Sequence, residues 1–297
     1  MFDPRVRLLA ACAAPLILAT GCSTDDGDSG GRLQVVAGFY ALEWATARVG
    51  GDLVAVTSLT PPGAEPHDLE LSPQDVGAIA DADLVVHLEG FQPAVDEAAA
   101  NEAADSSWDA GTAADLMPVQ DGDGALDPHF WLDPTRLADV GDAVAEQFAK
   151  VDPEQAGTYE QNAADLRADL EALDTEVSGA LADCAVDTLV TSHEAFGYLA
   201  GRYGFEMVGI SGISPSQEPD PSALAEIADL VRERGVSTVY TETLVDPAVA
   251  ETVAEEAGVR TAVLDPLEGL TDDSAGADYL SVMRADLATL REGQGCS

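Results

Sequence analysis

Basic residues are scarce in this sequence. Its 297 residues include 13 lysines and arginines against 55 aspartates and glutamates, so the formal net charge at pH 7 is −42. Nucleic acids and anionic membrane surfaces bind proteins through cationic patches, and this charge therefore argues against either as a partner of the folded chain. A cationic ligand is favoured. Because the acidic residues are spread along the chain, a solvated acidic surface accounts for most of them without a role in binding.

Long apolar runs are also scarce. The run at residues 8–19 is too short to be a convincing membrane span, and it follows Arg5 and Arg7. A charged start followed by a short apolar stretch is typical of a secretory signal. We therefore predict that residues 1–21 are a signal peptide and that the rest of the chain is extracytoplasmic.

The predicted cleavage site lies in the segment Leu-Ala-Thr-Gly-Cys, residues 18–22, just before Cys22. This segment resembles the lipobox of bacterial lipoproteins, in which the cysteine is lipidated and becomes the first mature residue. A plain signal peptide followed by a chance cysteine is the alternative. Residues 22–32 are rich in Gly, Ser and Asp, and we predict that they form a flexible tether between a lipid anchor in the cell membrane and the folded part.

Only four cysteines occur in the chain. Cys12 lies in the predicted signal peptide and Cys22 is the candidate lipidation site, which leaves Cys184 and Cys296. Outside the cytoplasm, two remaining cysteines most simply form a disulfide. Their spacing is unlike any compact zinc motif, which argues against metal binding by thiolate.

Short β-branched runs alternate with helix-like segments in both halves of the chain. Strands are predicted at residues 34–39, 53–59 and 83–87, and again at 187–192, 206–210, 236–240 and 261–264. Helices are predicted between them at residues 40–49 and 72–80, and at 195–203, 221–234 and 246–257. This pattern predicts an α/β fold with two similar lobes, each a mostly parallel sheet flanked by helices.

One long helix is predicted between the two halves. After Asp152-Pro153, a helix-start signal, apolar or aromatic residues recur every three or four positions from 156 to 181. A single rigid helix would limit hinge closure between the lobes. The predicted organisation is an N-terminal lobe at residues 33–150, a linking helix at 151–183 and a C-terminal lobe at 184–297.

Histidine is as scarce as cysteine, with four in the chain. His129 lies between two Asp-Pro steps, which favour a fixed turn. His67 and His193 follow predicted strands, as does Asp265, and ligands of open α/β sheets collect beyond the carboxyl ends of strands. We therefore expect these four side chains to meet in the cleft between the lobes.

Three neutral imidazoles and one carboxylate suit a four-coordinate Zn²⁺, whereas Mn²⁺ and Fe²⁺ prefer more oxygen ligands. The roles of two further residues remain open. His87 ends a predicted strand, where a histidine satisfied within the sheet is the simpler interpretation and a spare ligand the alternative. Glu242 closes another strand and is the substitute if Asp265 is not the carboxylate.

Four segments together resemble the signature regions of the zinc and manganese substrate-binding lipoproteins of bacterial ABC transporters. They are residues 62–68 with Ser72-Pro73, residues 127–134, residues 191–198 and residues 265–267. The resemblance covers residue 33 to the C-terminus. It implies a high-affinity metal receptor that delivers zinc to a membrane permease driven by a cytoplasmic ATPase. We expect this receptor to be a monomer, anchored through lipid on Cys22 and without enzymatic activity. Position by position, the resemblance assigns the ligands to His67, His129, His193 and Asp265.

Departures from that family pattern also matter. Many zinc members carry a histidine-rich loop before the second ligand, but residues 101–126 contain no histidine. Manganese members generally have a carboxylate where His193 stands, which supports zinc. The alternatives are a manganese or iron receptor of the same fold, a zinc hydrolase and an adhesin-like surface lipoprotein. The hydrolase hypothesis lacks both a His-Glu-x-x-His helix and a Gly-x-Ser-x-Gly elbow.

Overall fold

The structure is a computed structural model that describes residues 31–119, 124–217 and 219–297. The predicted signal peptide, the lipidation site at Cys22 and most of the tether lie outside the described residues. Within the described ranges, no helix is both long enough and apolar enough to cross a bilayer.

The first lobe is built on a parallel sheet with the strand order β2-β1-β3-β4. Its strands are β1 (Leu33–Ala37), β2 (Val54–Ser58), β3 (Leu84–His87) and β4 (Ser107–Asp109). Its helices are α1 (Tyr40–Gly50), α2 (Pro73–Asp81), α3 (Pro93–Glu102) and α4 (Gly111–Ala114). Helix α2 begins as predicted, because the Ser72 side chain accepts a hydrogen bond from the Asp75 backbone N–H and Pro73 takes the first helical position.

The second lobe repeats this arrangement with the strand order β6-β5-β7-β8, again all parallel. Its strands are β5 (Thr188–Thr191), β6 (Glu206–Gly209), β7 (Thr238–Thr241) and β8 (Arg260–Val263). Three of its helices are α7 (Gly197–Tyr203), α8 (Pro221–Arg234) and α9 (Ala248–Ala257), and α10 (Tyr279–Gly293) closes the chain. The prediction of two similar parallel α/β lobes is confirmed.

Two antiparallel helices connect the sheets. They are α5 (Pro134–Val151) and the 25-residue α6 (Ala156–Ala180), separated by a 3₁₀ turn at Pro153–Gln155. The predicted apolar stripe of α6 is its buried face, formed by Tyr159, Ala163, Leu166, Leu170, Leu173 and Val177. At about 1.5 Å per residue α6 is roughly 37 Å long, and it packs against α1 of the first lobe and α10 of the second. The residue boundaries predicted from the sequence for the two lobes and the linking helix stay a prediction.

Buried aromatic residues also join the two lobes. The Trp131 indole donates a hydrogen bond of 2.7 Å to the Pro266 carbonyl, and the Tyr279 hydroxyl donates one of 2.6 Å to the Trp131 carbonyl. The Tyr198 hydroxyl donates to the Asp127 carbonyl at 2.8 Å. Because these bonds are buried, they hold the loops of the two lobes in a fixed relation. The Cys184–Cys296 disulfide joins the segment after α6 to the end of α10, as predicted.

Candidate metal centre

Four loops bring three imidazoles and one carboxylate together. His67 lies in the loop after β2, and His193 follows β5 by two residues. His129 begins the 3₁₀ turn Phe130–Leu132 that precedes α5, and Glu268 lies in the loop after β8. The His67 turn is closed by the Glu65 carboxylate, which accepts a hydrogen bond from the His67 backbone N–H at 3.0 Å.

The distances among these side chains are those of ligands around one small ion. Glu268 Oε1 lies 3.3 Å from Nε2 of His67 and 3.2 Å from Nε2 of both His129 and His193. The Nε2 atoms of His67 and His129 are 3.3 Å apart, and all four candidate ligand atoms lie within 4.8 Å of one another. Tetrahedral ligands bonded to zinc at about 2.0–2.1 Å are separated by roughly 3.3–3.4 Å. The four atoms can therefore hold a zinc-sized cation with little movement.

The centre is closed on all sides but one. The side chains of His129, His193 and Glu268 are fully buried, whereas the His67 side chain keeps 7% of its surface exposed. The Phe91 ring packs edge-on against the His67 imidazole with 4.6 Å between ring centroids. His67 is therefore the member of the four that is most accessible from the solvent.

Two buried carboxylates orient two of the imidazoles. Asp127 Oδ1 accepts hydrogen bonds from the backbone N–H of His129 at 2.9 Å and from its Nδ1 at 2.8 Å. Glu242 repeats the pattern on His193, with Oε1 at 3.2 Å from the backbone nitrogen and Oε2 at 2.7 Å from Nδ1. A carboxylate that holds the Nδ1 proton fixes the ring and leaves Nε2 available as a metal ligand.

The electrostatics of the site favour a positive charge at its centre. Burial alone would raise the pKa of Glu268, but hydrogen bonds from the three imidazoles hold it well below its usual range. Burial alone would lower the pKa of His193, but the carboxylates of Glu242 and Glu268 outweigh it and raise the pKa to about 10. The pKa of His129 is raised in the same way, by Asp127 and Glu268 against the effect of burial. Among the described residues, no donor reaches the buried Glu268 Oε2.

The carboxylate that lies beside the three histidines in the structure differs from the predicted Asp265. The structure brings His67, His129 and His193 together as expected, but the fourth member is Glu268 rather than Asp265. Both oxygens of Asp265 are occupied within its own loop, because Oδ1 accepts from the Leu267 backbone N–H and Oδ2 from the Ser274 hydroxyl. Glu268 follows Asp265 by three residues, so the sequence offered two carboxylates in one loop and no signal to choose between them.

The two residues left open by the sequence lie outside the group of four. His87 Nδ1 lies 3.1 Å from Asp96 Oδ1 of α3, within the first lobe. Glu242 contacts His193 as its hydrogen-bond partner and is not one of the four converging side chains. The orienting roles of Asp127 and Glu242 were missed at the sequence level, although Asp127 is only two residues from His129.

Comparison with known proteins gives the chain its family. The family described as "ZnuA: Zinc-uptake complex component A periplasmic" matches residues 35–293. The zinc-binding lipoprotein AdcA of Streptococcus pneumoniae serotype 4 is 33% identical over 305 residues, which cover 97% of this chain and 60% of AdcA. The chain thus spans less than two thirds of AdcA. The high-affinity zinc uptake system protein ZnuA of Bacillus subtilis is 32% identical over 306 residues, which cover 96% of this chain and 95% of that protein.

A solved structure also matches this chain. The laminin binding protein Lmb of Streptococcus agalactiae, described as bifunctional with adhesin and metal transporting activity, matches with a TM-score of 0.81 at 33% identity. The match covers 88% of this chain and 99% of Lmb. On the family match, the relatives and the shared fold, this chain belongs to the family of periplasmic zinc-uptake complex components.

Proposed function

We propose that this protein is an extracytoplasmic zinc receptor that binds one Zn²⁺ and delivers it to the membrane permease of an ABC transporter. The observation that carries the proposal is the set of separations of 3.2–3.3 Å that joins Glu268 Oε1 to the Nε2 atoms of His67, His129 and His193. The ion is the cargo, and these four side chains are its ligands.

The ligand set favours zinc over manganese. Imidazole nitrogens suit Zn²⁺, whereas Mn²⁺ is better matched by carboxylate, carbonyl and water oxygens. Here nitrogen supplies three of the four ligand atoms and oxygen one. The relatives AdcA and ZnuA carry names that refer to zinc, which supports the same choice.

A receptor accounts for this centre better than a hydrolase does. Catalytic zinc is held by three protein ligands with the fourth position left to water, whereas four protein ligands close the coordination sphere. The side chains of three of the four ligands are fully buried, which leaves little room for a substrate beside the ion. The chain is therefore proposed to be a binding protein and not an enzyme.

The remaining steps of uptake are proposed from the sequence. Lipid attached to Cys22 would anchor the chain at the outer face of the cell membrane, and residues 22–32 would act as its tether. Held there as a monomer, the receptor would stay near the permease that accepts the ion. The strong negative charge of the chain fits a cationic cargo and argues against nucleic acid as a partner.

Metal titration tests the proposal. Protein purified without added metal should bind one equivalent of Zn²⁺ tightly in competition with a chelating indicator, and excess Mn²⁺ should not displace it. His67→Ala should weaken binding, whereas His87→Ala, a matched change of a histidine outside the group, should leave it unchanged. Tighter binding of Mn²⁺ than Zn²⁺, or equal losses in the two variants, would contradict the proposal.

A further inference from the structure

The turn that presents Glu268 has an unusual backbone. Leu267, the residue before it, has φ of 57°, in the left-handed region that bulky side chains rarely adopt. Such a conformation persists only where the surroundings hold it in place. The bonds made by residues 265–267 therefore decide where the Glu268 side chain points.

Two buried carboxyl groups make the bonds that hold this turn. Asp286, on α10, accepts a hydrogen bond from the Asp265 backbone N–H at 3.0 Å. Asp265 Oδ1 in turn accepts from the Leu267 backbone N–H at 2.9 Å, and the Ser274 hydroxyl donates to Asp265 Oδ2 at 2.9 Å. These bonds run in series from α10 to the residue that precedes Glu268.

Burying the carboxyl group of Asp286 lowers the stability of the fold compared with burying an apolar side chain of the same size. Asp286 is 4% exposed, and no donor within the described parts of the chain reaches its Oδ2. Burial raises the pKa of Asp286 well above its usual range. A leucine would fill a similar volume without an unpaired polar atom, so the useful property of Asp286 is the oxygen that it offers to Asp265 N–H.

We propose that Asp286 and Asp265 are positioning residues for zinc binding, which hold the turn at residues 265–267 so that Glu268 faces the three histidines. Helix α10 also holds the His129 turn, through the bond from the Tyr279 hydroxyl to the Trp131 carbonyl. One helix thus sets the spacing between a histidine ligand and the carboxylate ligand. This inference rests on the proposed function, because it concerns Glu268 as a zinc ligand.

Asp286→Leu tests the proposal, because it removes the acceptor and keeps the volume. Zinc affinity, measured with a competing chelating indicator, should fall by about 10–100-fold, the range found when residues that orient metal ligands are replaced. Asp286→Asn keeps an acceptor oxygen and should recover most of that loss. The metal-free Asp286→Leu protein should unfold at a temperature no lower than the parent, since an unpaired buried carboxyl has been removed.

A double-mutant cycle shows whether the effect passes through Glu268. In a Glu268→Ala background, Asp286→Leu should cause no further loss of affinity, because the ligand that it positions is absent. The same loss in both backgrounds, or parental affinity in Asp286→Leu alone, would overturn the proposal. Glu292→Gln, an exposed change on α10, is the matched control and should leave affinity unchanged.

Two further outcomes of these experiments have different meanings: a variant that does not fold, and a parent protein that does not bind zinc. If Asp286→Leu does not fold, Ser274→Ala decides, because it removes one bond to Asp265 at a half-buried position and should weaken zinc binding only when Glu268 is present. Parental affinity in Ser274→Ala would then overturn the proposal. Failure of the parent protein itself to bind zinc would instead reject the proposed function, before any variant is compared.

Discussion

Zinc binding at this centre should release protons, because the carboxylates that orient the imidazoles also hold protons on them. His193 lies between Glu242 at 2.7 Å and Glu268 at 3.2 Å. Burial alone would lower its pKa, but these carboxylates raise it to about 10. We therefore expect the ring to carry protons on both nitrogens at pH 7, and zinc to displace the proton on Nε2 when it binds.

The sign and size of the pH dependence follow from this difference. The free protein binds more protons than the zinc complex, so zinc affinity rises with pH until the pKa of His193 near 10 is passed. For each proton displaced, apparent affinity should change about tenfold per pH unit, or about 1.4 kcal/mol. His129, whose pKa is also raised, adds to the effect. An unperturbed imidazole would place the same transition at about pH 6.5.

Calorimetry in buffers with different protonation enthalpies measures the number of protons released, and at pH 7 we expect at least one per zinc bound. Glu242→Gln removes the largest of the effects that raise the His193 pKa, so it should reduce proton release at pH 7 and flatten the pH dependence. Asp96→Asn, which alters the partner of His87 outside the centre, should behave as the parent. Affinity that does not change between pH 6 and 8, or undiminished proton release in Glu242→Gln, would refute the reasoning.

Three further predictions concern stoichiometry and stability. The protein should bind one Zn²⁺ per chain, and a second equivalent that persists in His129→Ala would reveal another site. Reduction of the Cys184–Cys296 disulfide, which spans 112 residues, should lower the free energy of unfolding by up to about 4.7 kcal/mol in urea titrations, and an unchanged midpoint would contradict this. Leu166→Ala, at a fully buried position of α6, should lower the free energy of unfolding by about 2–5 kcal/mol without altering metal stoichiometry, and a change below about 1 kcal/mol would contradict close packing there.

The fold was predictable from the sequence wherever local pattern and tertiary environment agree. Seven of the strands contain apolar or β-branched segments, which favour strands in a parallel sheet covered by helices. Strand β4 (Ser107–Asp109) was not predicted. Its three residues have no apolar run of their own, and they become a strand only because they pair with β3 in parallel register.

The three histidines were predictable for a related reason. Each occurs beside a strand end or within a turn stiffened by proline, and the carboxyl ends of parallel strands are brought to one edge by the topology itself. Such positions depend on the order of elements along the chain and little on side-chain detail. The sequence therefore determined the fold class, the histidine ligands of the proposed zinc centre and the cysteine pair that forms the disulfide.

Only the tertiary structure shows which carboxylate lies beside the three histidines. Asp265 and Glu268 share one loop, and they differ through a backbone turn at Leu267 with φ of 57° and through the hydrogen bonds that Asp265 donates to Asp286 and accepts from Ser274. Asp286 lies 21 residues further along the chain and becomes a neighbour of Asp265 only when α10 packs against the second lobe. The orientation of a side chain in a loop depends on such distant contacts, and no local pattern in the sequence encodes them.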